Sequence, residues 1–291
     1  MSASTPLSPA NSPSSGANAL ASPTRSGHPR AVLVTGAGKR IGRGIALEFA
    51  QQGWDVAVHY GHSEREAHDT VAQIEALGRR AVALNADLGA EAEVARLVPA
   101  CVEIFGALHC VVNCASRFDE DTATDFGYAK LMQMTAVNVA APLTLARSLH
   151  EATPDAADND ESLRAVVINV LDQKLYNMNP DYLSYTLTKA ALDTATVALA
   201  QALAPKLRVV GLAPGLTLMS AAQTPESFEA AHRVTPLRRA STVKDVAQAA
   251  CYLANAHGVT GTTLVVDGGQ HLVPSPRDVM YMIGADNPAS R

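Results

Sequence analysis

From residue 31 onward the chain alternates short apolar runs with stretches whose apolar positions recur at helical spacing. The apolar runs fall at residues 31–35, 54–59, 81–85, 108–113, 164–171, 208–213 and 262–266, and each has the length of a strand. Between them lie amphipathic stretches at 41–52, 64–77 and 91–105, a long helical stretch at 127–150 and a small-residue helix at 190–203. Strand–helix alternation of this kind predicts right-handed crossovers and a parallel sheet covered on both faces. No Pro- or Gly-rich linker divides residues 31–275, so the expectation is α/β: a single doubly wound domain with a seven-stranded parallel sheet. Residues 151–162 read as an acidic surface loop, and 217–241 as a mobile substrate lid.

The ends break the pattern. Residues 1–30 are dominated by Ser, Pro, Ala and Gly, with no acid and no aromatic, which predicts a disordered tail. Arg25 and Arg30 are its only arginines and it has no continuous apolar run, so neither a transit peptide nor a secretory signal is expected. Residues 276–291 are expected to be a C-terminal tail. Net charge is −5 with acids and bases interspersed, which argues against nucleic acid as a partner. No apolar run approaches the roughly 20 residues of a membrane span. Four cysteines without a Cys-x-x-Cys pair or a nearby His cluster predict no metal and buried thiols in a reducing, cytoplasmic compartment.

Three groups of residues carry chemistry. Tyr185 and Lys189 are four apart, one helical turn from each other on one face. A lysine there favours the phenolate, moving a phenol that ionises near ~10 toward a useful acid/base range. Asp172 lies thirteen residues upstream of Tyr185 and decides which reaction the pair serves.

The first strand runs into Thr35-Gly36-Ala37-Gly38-Lys39-Arg40-Ile41-Gly42, a turn that lets a pyrophosphate approach the following helix N-terminus. A glycine turn after the first strand of such a series predicts a Rossmann-type dinucleotide site. The end of strand two carries His59, Tyr60 and Ser63 but no acid before Glu64, and Arg40 stands where a motif glycine is usual. Two cations and a hydroxyl suit a 2′-phosphate, so NADPH is expected over NADH; otherwise Arg40 and His59 are merely solvated.

Asp87 and Leu88 sit where an adenine edge would lie, although Asp87 reads equally well as a loop cap. Asn113, Cys114, Ala115 and Ser116 end strand four beside the expected pyrophosphate and nicotinamide ribose. Asn138 either holds a water for a proton relay or bonds a strand-four carbonyl. Pro214, Gly215, Leu216 and Thr217 turn the chain beside the nicotinamide.

Taken together, these residues resemble the short-chain dehydrogenase/reductase family over nearly all of residues 31–273, including the ending Val266-Asp267-Gly268-Gly269. The resemblance implies NAD(P)H hydride transfer with Tyr185 as acid/base, Lys189 holding the ribose and Asn138 in the relay. It also implies a homotetramer built on the 190–203 helix. Two departures, Asp172 for the active-site Ser and Arg40 for the middle glycine, resemble the pteridine reductase branch and its relatives that reduce dihydrofolate or dihydromonapterin. In that branch Ser116 and Phe118 flank the pterin; Arg117 departs from the small residue expected between them.

The chemistry is consistent with this. Phe118 clamps a flat pterin against nicotinamide, or else anchors a loop; aromatic stacking contributes roughly 0.5–1.5 kcal/mol beyond area burial. Reduction of a C=N bond needs a proton on nitrogen, and Asp172 with Tyr185 supplies it. Burial raises the Asp172 carboxyl, and a neighbouring phenolate raises it further. Asp172 alternatively binds substrate without proton transfer. The competing functions are a 3-oxoacyl carrier-protein-type carbonyl reductase and a cofactor-binding sensor without catalysis. Tyr182 and Lys189 also fit the Tyr-x6-Lys spacing of enoyl reductases, but Tyr185 lies directly beside Lys189.

Overall fold

Each of the seven apolar runs forms a strand, within two residues of its expected bounds. They are β1 (Ala31–Val34), β2 (Asp55–Tyr60), β3 (Ala81–Asn85), β4 (Cys110–Asn113), β5 (Ala165–Val170), β6 (Leu207–Pro214) and β7 (Thr263–Val266). The computed structural model describes residues 29–219, 224–233, 235–239 and 241–282. All strand pairs are parallel, in the order β3-β2-β1-β4-β5-β6-β7. β1, β4, β5 and β6 are buried at every position, as expected of central strands with helices on both faces.

The helices are α1 (Arg40–Gln51), α2 (Glu64–Ala76), α3 (Glu91–Phe105), α4 (Tyr128–Thr135), α5 (Ala141–Ala152), α6 (Leu183–Ala202), α7 (Pro225–Arg233), α8 (Val243–Asn255) and α9 (Val279–Met282). On one face Ile45, Ala46 and Phe49 of α1 share a core with Val246, Ala247, Ala250 and Cys251 of α8 and with Ile74 of α2. On the other, Val94, Leu97 and Cys101 of α3 meet Leu145 and Leu149 of α5 and Ala200 of α6. A fully buried side chain such as Phe49 or Leu145 contributes roughly 1.5–3 kcal/mol. α8 starts cleanly because Thr242 and Asp245 form a reciprocal capping box; hydrogen bonds from Thr242, then Arg239, hold Asp245 down at about 2.

β1 is flanked by β2 on one side and β4 on the other, so the chain reverses direction between them. That switch point opens a crevice at the carboxyl ends of the strands, where ligands bind in such sheets.

The domain reaches further at both ends than the sequence suggests. Arg30, expected in the tail, lies 4.1 Å from the Trp54 ring and donates to Asn255 Oδ1 at 2.7 Å. Residues 276–282, expected in the C-terminal tail, are ordered by ion pairs: Arg277 to Asp181 at 2.9 Å, and Asp278 to Lys174 at 3.4 Å. Residues 1–28 and 283–291 lie outside the described residues. The connection 217–241, expected as a lid, carries α7, and its residues 220–223, 234 and 240 also lie outside them. No helix among the described residues is long and apolar enough to cross a membrane.

Candidate active site

Backbone geometry shapes the crevice first. Gly36 has φ +67°, and a Cβ there would come within 3.1 Å of the Ala115 backbone. A Cβ on Gly42 would meet the Gly36 carbonyl at 2.4 Å, so α1 and the turn touch only because that atom is missing. Thr35 Oγ1 accepts from the amides of Cys114 and Ala115 at 2.9 and 3.0 Å, fixing the loop after β4 to the turn after β1. Sequence reasoning quoted Thr35 but gave it no role.

The resulting cleft has two connected lengths. One, of about 580 Å³, is bordered by Gly36, Arg40, Ile41, Cys114, Ala115, Ser116, Tyr185, Lys189, Pro214 and Gly215. The other, of about 740 Å³, is bordered by Gly61, His62, Ser63, Asp87, Leu88, Ala115 and Ser116. A glycine cradle at a helix N-terminus, with open space on both sides, fits the pyrophosphate and two ends of a dinucleotide. Leu216 and Thr217 border the adjoining substrate side. Asp87 Oδ1 caps the Gly89 amide at 2.8 Å, so the loop-cap reading of that residue holds while it also borders the cleft.

Several expected cofactor contacts are placed otherwise. His59 is buried; its Nδ1 accepts from the Gly36 amide at 3.1 Å, which leaves Nε2 to donate to the Ala86 carbonyl at 3.1 Å. Burial pushes its pKa down, so it is a neutral brace between the turn and the end of β3, and it borders the cleft without supplying a positive charge. Arg40 (φ +53°) donates to the Met219 carbonyl at 3.3 Å and borders Phe118, Asp172 and Tyr185. It thus borders both the glycine-turn length of the cleft and the pocket beside Asp172, and its glycine-like backbone costs about 1 kcal/mol.

The Tyr60 ring turns toward His68 on α2, 6.3 Å away. Asn113 donates to Asn169 Oδ1 at 2.8 Å inside the sheet and does not border the cleft. Lys39 is ion-paired with Glu66 at 2.7 Å, with both side chains exposed. Such a pair is worth little, so a phosphate can draw Lys39 away. Among the cleft residues that sequence reasoning missed are Asp278 and His62, the latter exposed beside Ser63, whose hydroxyl makes no capping bond to α2. The signal for His62 was in the same short run that drew attention to His59.

At the other end Asp172 caps the 3-10 turn Gln173–Tyr176, its Oδ1 accepting from the Lys174 amide at 2.8 Å. The Tyr185 hydroxyl donates to Asp172 Oδ2 at 2.8 Å. Lys189 does not reach that hydroxyl: its Nζ donates to the Val170 carbonyl at 2.7 Å and lies 5.7 Å from the centre of the Tyr185 ring. The electrostatics consequently run opposite to the expectation from spacing. Burial, then the neighbouring Asp172, push the Tyr185 phenol well above its ordinary range. Burial also raises Asp172, while the Lys174 amide and the Tyr185 hydroxyl oppose that rise by donating to it. Tyr185 is thus a phenol at any ordinary pH, and Asp172 is the group that titrates.

Asn138 sits in a π-helical turn, Ala136–Ala140, between α4 and α5. Its Oδ1 accepts from the Arg117 amide at 2.8 Å, and its Nδ2 donates to the Arg117 carbonyl and to Thr188 Oγ1, each at 3.0 Å. The carbonyl it bonds is that of Arg117, beyond the end of β4, and not a strand-four carbonyl. The side chain positions the Ser116–Arg117 backbone against α6.

Phe118 borders the cleft beside Asp172 and Tyr185 but stacks on Tyr182, centroids 4.3 Å apart, and meets the Tyr185 ring edge-on at 4.6 Å. Tyr182 itself caps α6 in a left-handed conformation (φ +56°) and stacks on Tyr281, with the two hydroxyls 3.3 Å apart. It is turned away from the reacting pair, which leaves Tyr185 as the tyrosine of the site.

Comparison with known proteins agrees with this geometry. The family model described as enoyl-(acyl carrier protein) reductase, of the short-chain type, matches residues 36–271. FolM alternative dihydrofolate reductase 1 from Brucella suis, solved in complex with NADP, superposes with TM-score 0.79 and 36% identity, covering 84% of this chain and 96% of that one. An uncharacterized oxidoreductase of Mycobacterium tuberculosis is 35% identical over 82% of this chain and 91% of its own length. The 3-oxoacyl-[acyl-carrier-protein] reductase FabG of Staphylococcus aureus is 29% identical over 84% and 98%.

Proposed function

The chain belongs to the short-chain dehydrogenase/reductase family, and on that premise we propose that it reduces the C=N bond of a pterin, dihydropterin or dihydrofolate with NADPH, giving the tetrahydro form. The observation that carries this reading is the hydrogen bond from Tyr185 to Asp172, a carboxyl where the family's carbonyl reductases use a neutral serine. The FolM structure, with its bound NADP, supports both the substrate class and the cofactor. The glycine cradle, Lys39 once released from Glu66, His62 and Ser63 supply the donors that a phosphorylated dinucleotide requires.

When bound, the reduced nicotinamide supplies hydride to a ring carbon. Tyr185 gives its phenolic proton to the adjacent ring nitrogen; with Asp172 in its acid form the 2.8 Å contact runs the other way, the carboxyl donating to the phenol oxygen and replacing the proton lost. Lys189, buried and bound to the Val170 carbonyl, fixes the end of β5 from which Asp172 projects. Phe118, Leu218 and Arg40 border the pocket that would take the ring.

The FabG relatives support a second reading, reduction of a carbonyl. Against it, Asp172 stands where the family's carbonyl reductases use serine, and in its ionised form it would repel a developing oxyanion. A panel of dihydrofolate, dihydrobiopterin, dihydromonapterin and a β-ketoacyl thioester with NADPH separates the two. The expected result is turnover of a pterin or folate, lost by about a hundredfold or more in Asp172→Ser, the lower range of general acid catalysis. Turnover of the thioester alone, or an unchanged pterin rate in the variant, overturns the reading.

A further inference from the structure

The segment after β7 brings a second carboxylate to the cleft. Asp278 borders the same 190 Å³ pocket as Asp172, Tyr185, Arg40 and Phe118. One residue links the two acids: the Lys174 amide donates to Asp172 Oδ1 at 2.8 Å, while its buried Nζ stands 3.4 Å from Asp278 Oδ2. That Nζ also donates to the Asp181 carbonyl at 2.6 Å. The Asp181 side chain in turn accepts from Arg277 Nε and from the Asp278 amide, at 2.9 and 2.7 Å. Asp278 is therefore held at the site by its own amide, by Arg277 before it and by the Lys174 ammonium.

We propose that Asp278 is a positioning residue for the proton donor, and that the segment carrying it completes the active site by holding Asp172 in its acid form. This rests on the reading of Asp172 as proton source given above.

The charged and titratable groups facing Asp172 are few. α6 contributes Tyr185, which donates to it, and Lys189, whose positive charge opposes protonation. The 3-10 turn contributes Lys174, the start of α1 contributes Arg40, and Cys114 after β4 acts on Tyr185. Burial is the larger cause at both groups, and Asp278, the facing acid, adds to it in the same direction, raising Asp172 and Tyr185. An acid beside the Lys189 ammonium would otherwise be drawn toward its ionised form. The segment's charge thus has work to do beyond closing the pocket.

The test is the pH profile of single-turnover NADPH oxidation with 7,8-dihydrobiopterin for wild type, Asp278→Asn, Asp278→Glu, Arg277→Gln and Lys174→Gln. In Asp278→Asn the descending limb moves to lower pH, so the rate at the alkaline end falls about tenfold while the acid plateau stays near wild type. Asp278→Glu keeps the wild-type limb. Lys174→Gln, which removes the cation between the acids, moves the limb to higher pH and reports even if Asp278→Asn folds poorly. Arg277→Gln loosens the segment without changing the charge beside Asp172, so it raises KM and leaves the limb in place.

A merely structural segment would make Asp278→Asn behave like Arg277→Gln; that outcome, or limbs unmoved in both Asp278→Asn and Lys174→Gln, overturns the inference. If Asp172→Ser also reduced pterin normally, the functional reading itself would have failed, and the two failures are thereby distinct.

Discussion

Buried histidines and acids, more than the exposed charges, set how this chain responds to pH. His109 Nδ1 accepts from the Ala31 amide at 3.2 Å, and burial, assisted by Arg30, brings its pKa down to about 4. His59 is shifted in the same direction by its burial. An unfolded histidine takes its proton near ~6.5. The unfolded chain therefore binds more protons as pH falls below that value, so the stabilisation is full above it and is lost toward about 4. Urea unfolding at a series of pH values should show this loss, with His109 contributing on the order of 3 kcal/mol. His109→Gln should flatten the slope, and an identical slope in that variant would remove His109 from the explanation. Residue identity alone made His59 look like a cation for phosphate. Its position one residue before the end of a buried strand carried the better signal, because a buried imidazole with two backbone partners is neutral. The Tyr185–Lys189 pair failed in the same way: spacing put both on one face of α6, but spacing does not say which atom each side chain reaches.

Among the elements, the strands and helices were legible almost to the residue because apolar periodicity fixes them. Their attachments were not. Asp55, the first residue of β2, is fully buried and accepts from Arg80 Nε at 2.8 Å, from the Arg80 amide at 3.1 Å, and from Arg79. It ties the turn between α2 and β3 to the sheet, a pairing across 24 residues that no local pattern announces. Asp55→Ala leaves Arg79 without its partner and should cost about 3 kcal/mol in a denaturant titration, with the cofactor cleft intact. A loss below about 1 kcal/mol would mean that the ion pairs are replaceable by water. The π-helical turn at Ala136–Ala140 belongs here as well. The sequence marked Asn138 as a polar residue on an apolar helix face, yet only the fold shows that one extra backbone residue turns it onto the Arg117 peptide.

For the molecule as a whole, the sheet order puts the crevice at the β1/β4 switch, β5 places Asp172, α6 places Tyr185, and the last described residues close the pocket from above. The doubly wound sheet, the glycine turn and the two reacting residues were all readable from the sequence. The contribution of residues 276–282 was not, since a stretch this short after Pro274 and Pro276 shows no helical periodicity; its order comes from Asp181 and Lys174, nearly a hundred residues earlier.

The chemistry converges on one titration. Because burial raises Asp172 and its acid form is the one proposed to be competent, the expected sign follows: hydride transfer should be fast at low pH and decline as pH rises through the folded pKa of Asp172. Tyr185, pushed well above its ordinary range, contributes no inflection there. Stopped-flow single turnovers of NADPH with 7,8-dihydrobiopterin across pH should give one descending limb in the wild type, absent from a much slower Asp172→Asn. A rate that climbs with pH would assign catalysis to a phenolate and contradict the role given to the carboxyl.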